Sequence, residues 1–378
     1  MSALRTWISL CVFLFPSLAF AAGQFLPAKG YSLRSKPLHV VVGDFNRDGK
    51  LDLATSNQDP HGSSQYSILL GNGDGTFQRA HTYSGGVPEG IAVADLNRDR
   101  KLDLIMAAGS VAVLLGNGDG TFQQPVYYSG ANFGYGVAVA DLNGDGLVDV
   151  VTTDDYYGAV VVWLGNGDGT LQPAIRSGRF GSFPTAVAAA DFNHDGKIDV
   201  ATVNVGDGTV AVALGNGDGT FQPAVSYFVT SEPIGLAVAD FNRDGKIDIV
   251  TAGVGGELVF LPGNGDGTFG TPVISVMNAT MPYIAGVGNF DHTAGLDVVV
   301  ADQTSQDLVL ELGQGDGTFL DSASFPLAGN HPLDGAVADF NNDGWLDVVV
   351  PDFATENLSV FINAGKMGSE ASEKQIVK

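Results

Sequence analysis

The stretch Asp44-Phe-Asn-Arg-Asp-Gly-Lys-Leu-Asp52 sets three carboxylates and one carboxamide at positions 1, 3, 5 and 9 of nine residues. At about 5 Å separation and an effective dielectric of about 20, each carboxylate pair repels by roughly 3 kcal/mol. Such a loop calls for a cation among its side chains, or for open water around them. Asp at 1, Asn at 3, Asp at 5, a main-chain carbonyl at 7 and Asp at 9 present hard oxygens only. With one or two waters, that set suits the six to eight oxygen ligands of Ca²⁺. Mg²⁺ prefers to keep its own water, and zinc and copper seek His or Cys, which these loops lack apart from His194 and His292 at spacer positions. Gly at position 6 permits the sharp turn that points the carbonyl inward. An EF-hand does not fit, because Thr55 stands at position 12 and a strand pattern, not a helix, follows. A metal-free, solvated Asp-rich turn is the competing reading.

The loop recurs as Asp95–Asp103, Asp141–Asp149, Asp191–Asp199, Asp240–Asp248 and Asp339–Asp347. The expected ligands are Asp44, Asn46, Asp48, Asp52 and the carbonyl of Lys50; Asp95, Asn97, Asp99, Asp103 and that of Lys101; Asp141, Asn143, Asp145, Asp149 and that of Leu147. The set continues with Asp191, Asn193, Asp195, Asp199 and the carbonyl of Lys197; Asp240, Asn242, Asp244, Asp248 and that of Lys246; Asp339, Asn341, Asp343, Asp347 and that of Trp345. Arg100 replaces the turn glycine in the second copy. A decayed copy at Asn289–Asp297 offers only Asp291 and Asp297 as carboxylates, so its site should be weak or empty.

These loops are the visible part of a longer repeat. Their starts are 51, 46, 50, 49, 49 and 50 residues apart, and GNGDGTF or a close variant follows each of the first six, at Gly71, Gly116, Gly165, Gly215, Gly263 and Gly313. Each unit reads as four strands: a small-residue run into the acidic loop, an apolar run out of it, a third strand, and an NGDG hairpin into the fourth. First strands made of Ala, Val and Gly suit a crowded axis. Pro125, Pro173, Pro223 and Pro272 place the fourth strands at an edge. The expected fold is therefore all-β, a seven-bladed β-propeller of four-stranded antiparallel blades. The seventh unit lacks its ending, whereas Gly23-Gln-Phe-Leu-Pro-Ala28 mimics Gly219-Thr-Phe-Gln-Pro-Ala224. The N-terminal strand should thus close the last blade. The expected blades are residues 38–83, 89–129, 135–178, 184–229, 233–277, 283–325 and 332–364 plus 23–31.

Composition agrees with an exported, folded chain. The 42 Asp+Glu against 18 Lys+Arg give a net charge of −24, which disfavours nucleic acid and anionic membrane surfaces as partners. A hydrophobic content of 44% argues against disorder. Residues 1–22 read as a secretory signal peptide, with Arg5, an apolar Trp7 to Phe20 and the cleavage pattern Ala19-Phe-Ala21. Its removal takes away Cys11, the only cysteine, so no disulfide is expected. Residues 23–365 form the propeller and 366–378 a polar, disordered tail. The expected location is secreted (extracellular, cell surface or periplasm), as a monomer with no transmembrane segment.

The pairing of DxNxDGxxD with GNGDGTF, over residues 23–365, resembles the FG-GAP or VCBS repeats, which also build the seven-bladed propeller of integrin α-chains. The resemblance implies Ca²⁺ in the loop between the first two strands, held by the side chains at positions 1, 3, 5 and 9. It supplies no ligand: a partner chain is absent and the Arg-Asp-Gly triplets lie inside the acidic loops.

Strand parity separates two faces. Acidic loops and NGDG turns emerge on one, nearly uniform from blade to blade. The other varies, with His61 and Asp154-Asp-Tyr-Tyr157 in loops between strands two and three. Loops between blades add Tyr127, Tyr128, Phe133, Tyr135, Phe180, Phe183, Tyr227, Phe228, Met281, Tyr283 and His331. Aromatics around a ring mouth point to non-catalytic recognition or adhesion, with a glycan or an extracellular or envelope protein as ligand. No nucleophile elbow, zinc-protease helix, phosphate loop or dinucleotide fingerprint is present. The alternative is a secreted enzyme of polysaccharide lyase or hydrolase type with its site at the mouth, where His61 and His331 would meet Asp154 or Asp155.

Overall fold

In the computed structural model, residues 24–59, 63–293 and 295–365 are described. They form seven four-stranded antiparallel sheets arranged as a β-propeller, with one short 3₁₀ turn at Phe353–Thr355. The expected signal peptide, the expected tail and His61 lie outside the described residues.

The first blade shows how sequence becomes sheet. Lys36–Gly43 runs along the axis, and the acidic loop turns it into Asp52–Gln58. Ser64–Leu69 follows, and the Gly71 turn leads to the outer strand His81–Ser84. Second strands are buried along their length, as in Asp149–Asp154 and Asp297–Asp302, because neighbouring blades cover both faces. That is why they do not alternate: Asp297–Asp302 is a continuous apolar run between its terminal Asp residues, and Asp52–Gln58 buries Thr55, Ser56 and Asn57 beside Leu53 and Ala54. Outer strands are mostly exposed. Seven apolar cores fill the seams, one between each pair of adjacent blades.

The ring closes as the split repeat requires. Lys29–Ser32 pairs antiparallel with Asn357–Phe361 and becomes the outer strand of the seventh blade. Phe25 makes an isolated bridge with Asn363, the same bridge that joins Gly71 to Phe77 within the first blade. Its ring stands edge-on to Phe325, Phe290 and Phe361 at 5.1, 5.8 and 6.1 Å. Among the described residues no helix is long and apolar enough to cross a membrane.

Candidate functional site

The acidic loops all lie on one face, and the six full copies share one internal geometry. In the first, Asp44 Oδ1 accepts from the N–H of Asp48 at 3.1 Å and its Oδ2 from Gly49 at 2.9 Å. Asn46 Oδ1 accepts from the N–H of Asp48 at 2.9 Å and Asp48 Oδ1 from Lys50 at 3.0 Å. Left-handed backbone at Arg47 (φ 61°) and Gly49 (φ 82°) curls the loop into this form. Arg100 adopts φ 63° where the other full copies have glycine, so that loop keeps its shape with a strained residue.

Position 9 behaves differently from positions 1, 3 and 5. Asp52 is fully buried: its Oδ2 accepts from the N–H of Phe45 at 2.9 Å and its Oδ1 from Gly71 at 2.7 Å. All seven blades repeat this clasp, including the decayed sixth, where Asp297 holds Phe290 and Gly313. In the seventh, Asp347 holds Phe340 and Asn363. Burial pushes Asp52 above the ordinary carboxylate range, the two N–H bonds pull against it, and the Asp48 and Asp44 charges add to the rise. In Asp347 the result reaches about 7.

A second interlock runs between blades. The N–H of Gly120, in the second blade's GNGDG turn, donates to Phe45 O of the first at 3.0 Å. Gly75 donates likewise to Phe340 O at 3.2 Å across the closing seam. Above each bond, the aromatic ring at loop position 2 meets the Phe of the next GTF: Phe45 with Phe122 at 5.7 Å and Phe340 with Phe77 at 5.3 Å. This explains why the two motifs travel together, a relation the sequence reading used without finding its cause.

Among the described residues no three His, Cys, Asp or Glu side chains form a ready metal cage. The donor set nevertheless fits a hard cation, since each loop offers oxygens alone and each carboxylate oxygen engaged by one N–H retains a free lone pair. Lysine at position 7 supplies part of the missing charge: Lys101 Nζ lies 2.9 Å from Asp99 and Lys246 Nζ 3.2 Å from Asp244. Leu147 and Trp345 leave the third and seventh loops without that ammonium.

The opposite face holds a cavity of about 630 Å³ on the axis, and every blade contributes to its wall. Its lining comes from the starts of the first strands, where four blades carry a register shift, between Pro37/His39, Pro184/Ala186, Ile234/Ala237 and Ile284/Gly286. A bulge of this kind re-aims side chains at a strand end. Between these positions glycine lets the hub close: a Cβ on Gly90 would sit 2.4 Å from the Tyr135 carbonyl oxygen.

The polar groups of the cavity are His39, Glu89, Tyr135, Thr185, Tyr283 and Asp334. His39 Nδ1 lies 2.9 Å from Asp334 Oδ2, an ion pair when the ring is protonated. Burial disfavours the His39 charge, but Asp334 and Glu89 outweigh it and hold the pKa above the usual imidazole value. Glu89 is raised by burial, with His39 opposing. Tyr135 is raised by burial and then by Glu89 and Asp155. The Thr185 hydroxyl is buried without a hydrogen-bond partner among the described residues.

Of the aromatics expected at the mouth, Tyr135 and Tyr283 enter the cavity. Phe133 and Phe183 stand exposed on the rim loops, and so do Tyr156 and Tyr157. Phe180 is buried in a seam, while Tyr128 and Tyr227 pack against seam cores. Asp154 is buried and paired with Arg176 Nη2 at 2.8 Å, and His331 packs on Phe353 at 5.7 Å. His39, Glu89 and Asp334 escaped the sequence reading. Aligning the units on the acidic loop would have exposed His39 and Asp334, because they occupy the place taken by Gly90, Gly136, Ala186, Gly235 and Ile284 elsewhere, whereas Glu89, one position earlier, stands in a column of mixed residues that carries no such signal.

An FG-GAP-like repeat profile matches residues 44–106, 95–152, 141–202, 195–251 and 289–350. The chain belongs to the FG-GAP-like repeat family. No curated protein sequence matches it significantly. Among solved structures, this FG-GAP propeller is similar to an Agrocybe aegerita lectin described as recognising non-reducing terminal N-acetylglucosamine. Identity there is 19%, coverage 80% of this chain and 90% of that one, and the TM-score 0.55. BBS1N, solved in complex with ARL6DN, gives 12%, 90%, 97% and 0.62 for the same quantities. A catalytically inactive virginiamycin B lyase from Staphylococcus aureus, solved with quinupristin, gives 11%, 89%, 99% and 0.58. At these identities the likeness is one of fold alone.

Proposed function

We propose that this FG-GAP propeller is an exported, calcium-stabilised recognition module that captures a glycan or a protein at its axial mouth. The observation that carries the reading is the cavity on the face opposite the acidic loops, where seven dissimilar strand starts converge. A pocket with apolar walls and a few convergent polar groups is the usual form of a ligand site. The similar lectin is consistent with a glycan there. Calcium belongs to the other face. Asp44, Asn46, Asp48, Asp52 and the Lys50 carbonyl, with their five full counterparts, would hold it, and the ion would neutralise the clustered carboxylates. Export rests on the signal-like pattern of residues 1–22.

A glycan array and a pull-down on surface extracts test the reading. Tyr135→Ala should abolish the binding found, with no shift in melting temperature. Binding that survives Tyr135→Ala and Glu89→Gln together would place the ligand elsewhere.

One observation favours a second reading, a secreted enzyme of lyase or hydrolase type. His39 is oriented by Asp334 at 2.9 Å beside Glu89, an arrangement that can move a proton within a pocket. Turnover on a polysaccharide panel that is lost in His39→Gln would establish it.

A further inference from the structure

We infer that the mouth takes a saccharide bearing a protonated amine, an amino sugar without its N-acetyl group, with Glu89 as the amine's counter-charge. The inference rests on the reading of the mouth as the binding site and names the ligand class.

Charge is the first argument. The cavity wall carries two carboxylates, Glu89 and Asp334, and one basic side chain, His39, which Asp334 already engages at 2.9 Å. A third carboxylate, Asp155, lies near enough to Tyr135 to raise its pKa. Nearby basic groups are committed elsewhere. Lys36, three residues before His39, holds its ammonium 5.2 Å over the Phe353 ring. Arg176 is bound to Asp154 and stacked 4.3 Å from the Tyr157 ring. A uronate or sulfated sugar would bring like charge into a partly desolvated pocket. A neutral sugar can donate hydroxyl hydrogen bonds to Glu89 but brings no charge to offset the surplus carboxylate in a partly desolvated pocket. An ammonium group satisfies it.

Shape is the second argument. Tyr135 and Tyr283 come from the third and sixth blades and line the same cavity, so its wall presents aromatic groups from two separate blades. Phe133 and Phe183 extend the platform onto the rim, 73% and 57% exposed, both with left-handed backbone at φ 53° and 54°. Their carbonyls are fixed by the N–H groups of Asp155 and Val205, each at 3.1 Å. Aromatic faces of this kind pack against the C–H faces of pyranose rings. A volume of about 630 Å³ suits one or two rings and exceeds what a lone lysine side chain would fill.

The test is calorimetric titration with a glucosamine trimer, its fully N-acetylated counterpart and a lysine tripeptide, in about 0.15 M salt to screen the overall charge. The amine trimer should bind at least about tenfold more tightly than the acetylated one, and Glu89→Gln should erase that difference with an unchanged melt. Asp74→Asn, which removes one exposed charge on the opposite face, should leave it intact. If Glu89→Gln lowers the melt, Asp334→Asn is read in its place and should also weaken the amine trimer about tenfold. Equal or tighter binding of the acetylated trimer would overturn the inference and keep the mouth as a glycan site. Tighter binding of the lysine tripeptide would overturn it in favour of a peptide. Binding of none of the three would overturn it, and binding of no glycan or protein in the array and pull-down would end the parent reading as well.

Discussion

Removing the position-9 carboxylate in one internal blade isolates the clasp. Asp199 is fully buried, and its oxygens accept from the N–H groups of Phe192 at 2.9 Å and Gly215 at 2.8 Å. Asp199→Ala leaves two main-chain donors unsatisfied inside a dry seam, at about 1–3 kcal/mol each. Against that stands relief of a buried charge, since burial raises the Asp199 pKa despite both bonds. The expected net loss is about 3 kcal/mol. Asp199→Asn keeps one acceptor and turns its amide toward the other donor, for roughly half the loss. Urea denaturation, read by the buried Trp163 of the adjacent blade, measures both variants. The measurement is made with calcium and again in excess chelator. Because the donors are backbone groups, most of the loss should persist in chelator, and any extra loss with calcium, up to about 1.4 kcal/mol, reports Asp199 as a ligand of its own loop. A loss below about 1 kcal/mol in both would refute the clasp, and one seen only with calcium would make Asp199 a ligand and nothing more.

Three further outcomes are expected. Phe25→Ala should cost about 3–5 kcal/mol and expose the N-terminal strand to limited proteolysis, because its ring fills a pocket made by Phe290, Phe325 and Phe361; an unaltered digestion pattern would argue against closure by that strand. Chelation should lower the melting temperature by on the order of 15 °C: at affinities near ~10⁻⁴ M and calcium near ~10⁻³ M, six sites at roughly 1.4 kcal/mol each total about 8 kcal/mol, and an unchanged melt in excess EGTA would remove the calcium proposal. Glu311 stands in a core position, where burial and then the neighbouring Asp321 push its pKa to about 9 from an ordinary 4.5. The folded chain therefore holds a proton that the unfolded chain has released, so stability should fall as pH climbs through that window, by at most about 1.4 kcal/mol per unit. Glu311→Gln should flatten the slope, and identical slopes for the two proteins would disprove the assignment.

What the sequence made legible, and what it hid, follows from how a repeat distributes its work. Residues needed in every blade recur at fixed spacing, so the acidic loops, the GNGDGTF turns, the strand count and the split last blade could all be read from period alone. Even there, recurrence gave identity without cause. Asp at position 9 looked like one more hard ligand, yet its buried carboxylate ties its own loop to the GNGDG turn. Phe45 and Phe122 looked like motif ornaments, yet their rings meet across a seam 77 residues apart in sequence (122 − 45). Function at an axial mouth obeys the opposite rule. Seven strand starts converge there without repeating, and His39 and Asp334 stand 295 residues apart as the two charged members of a column otherwise filled by Gly, Ala and Ile. A period search averages such exceptions away. In a closed ring, the positions where the units disagree and point at the axis are where specificity can reside, since those that agree are committed to holding the ring together.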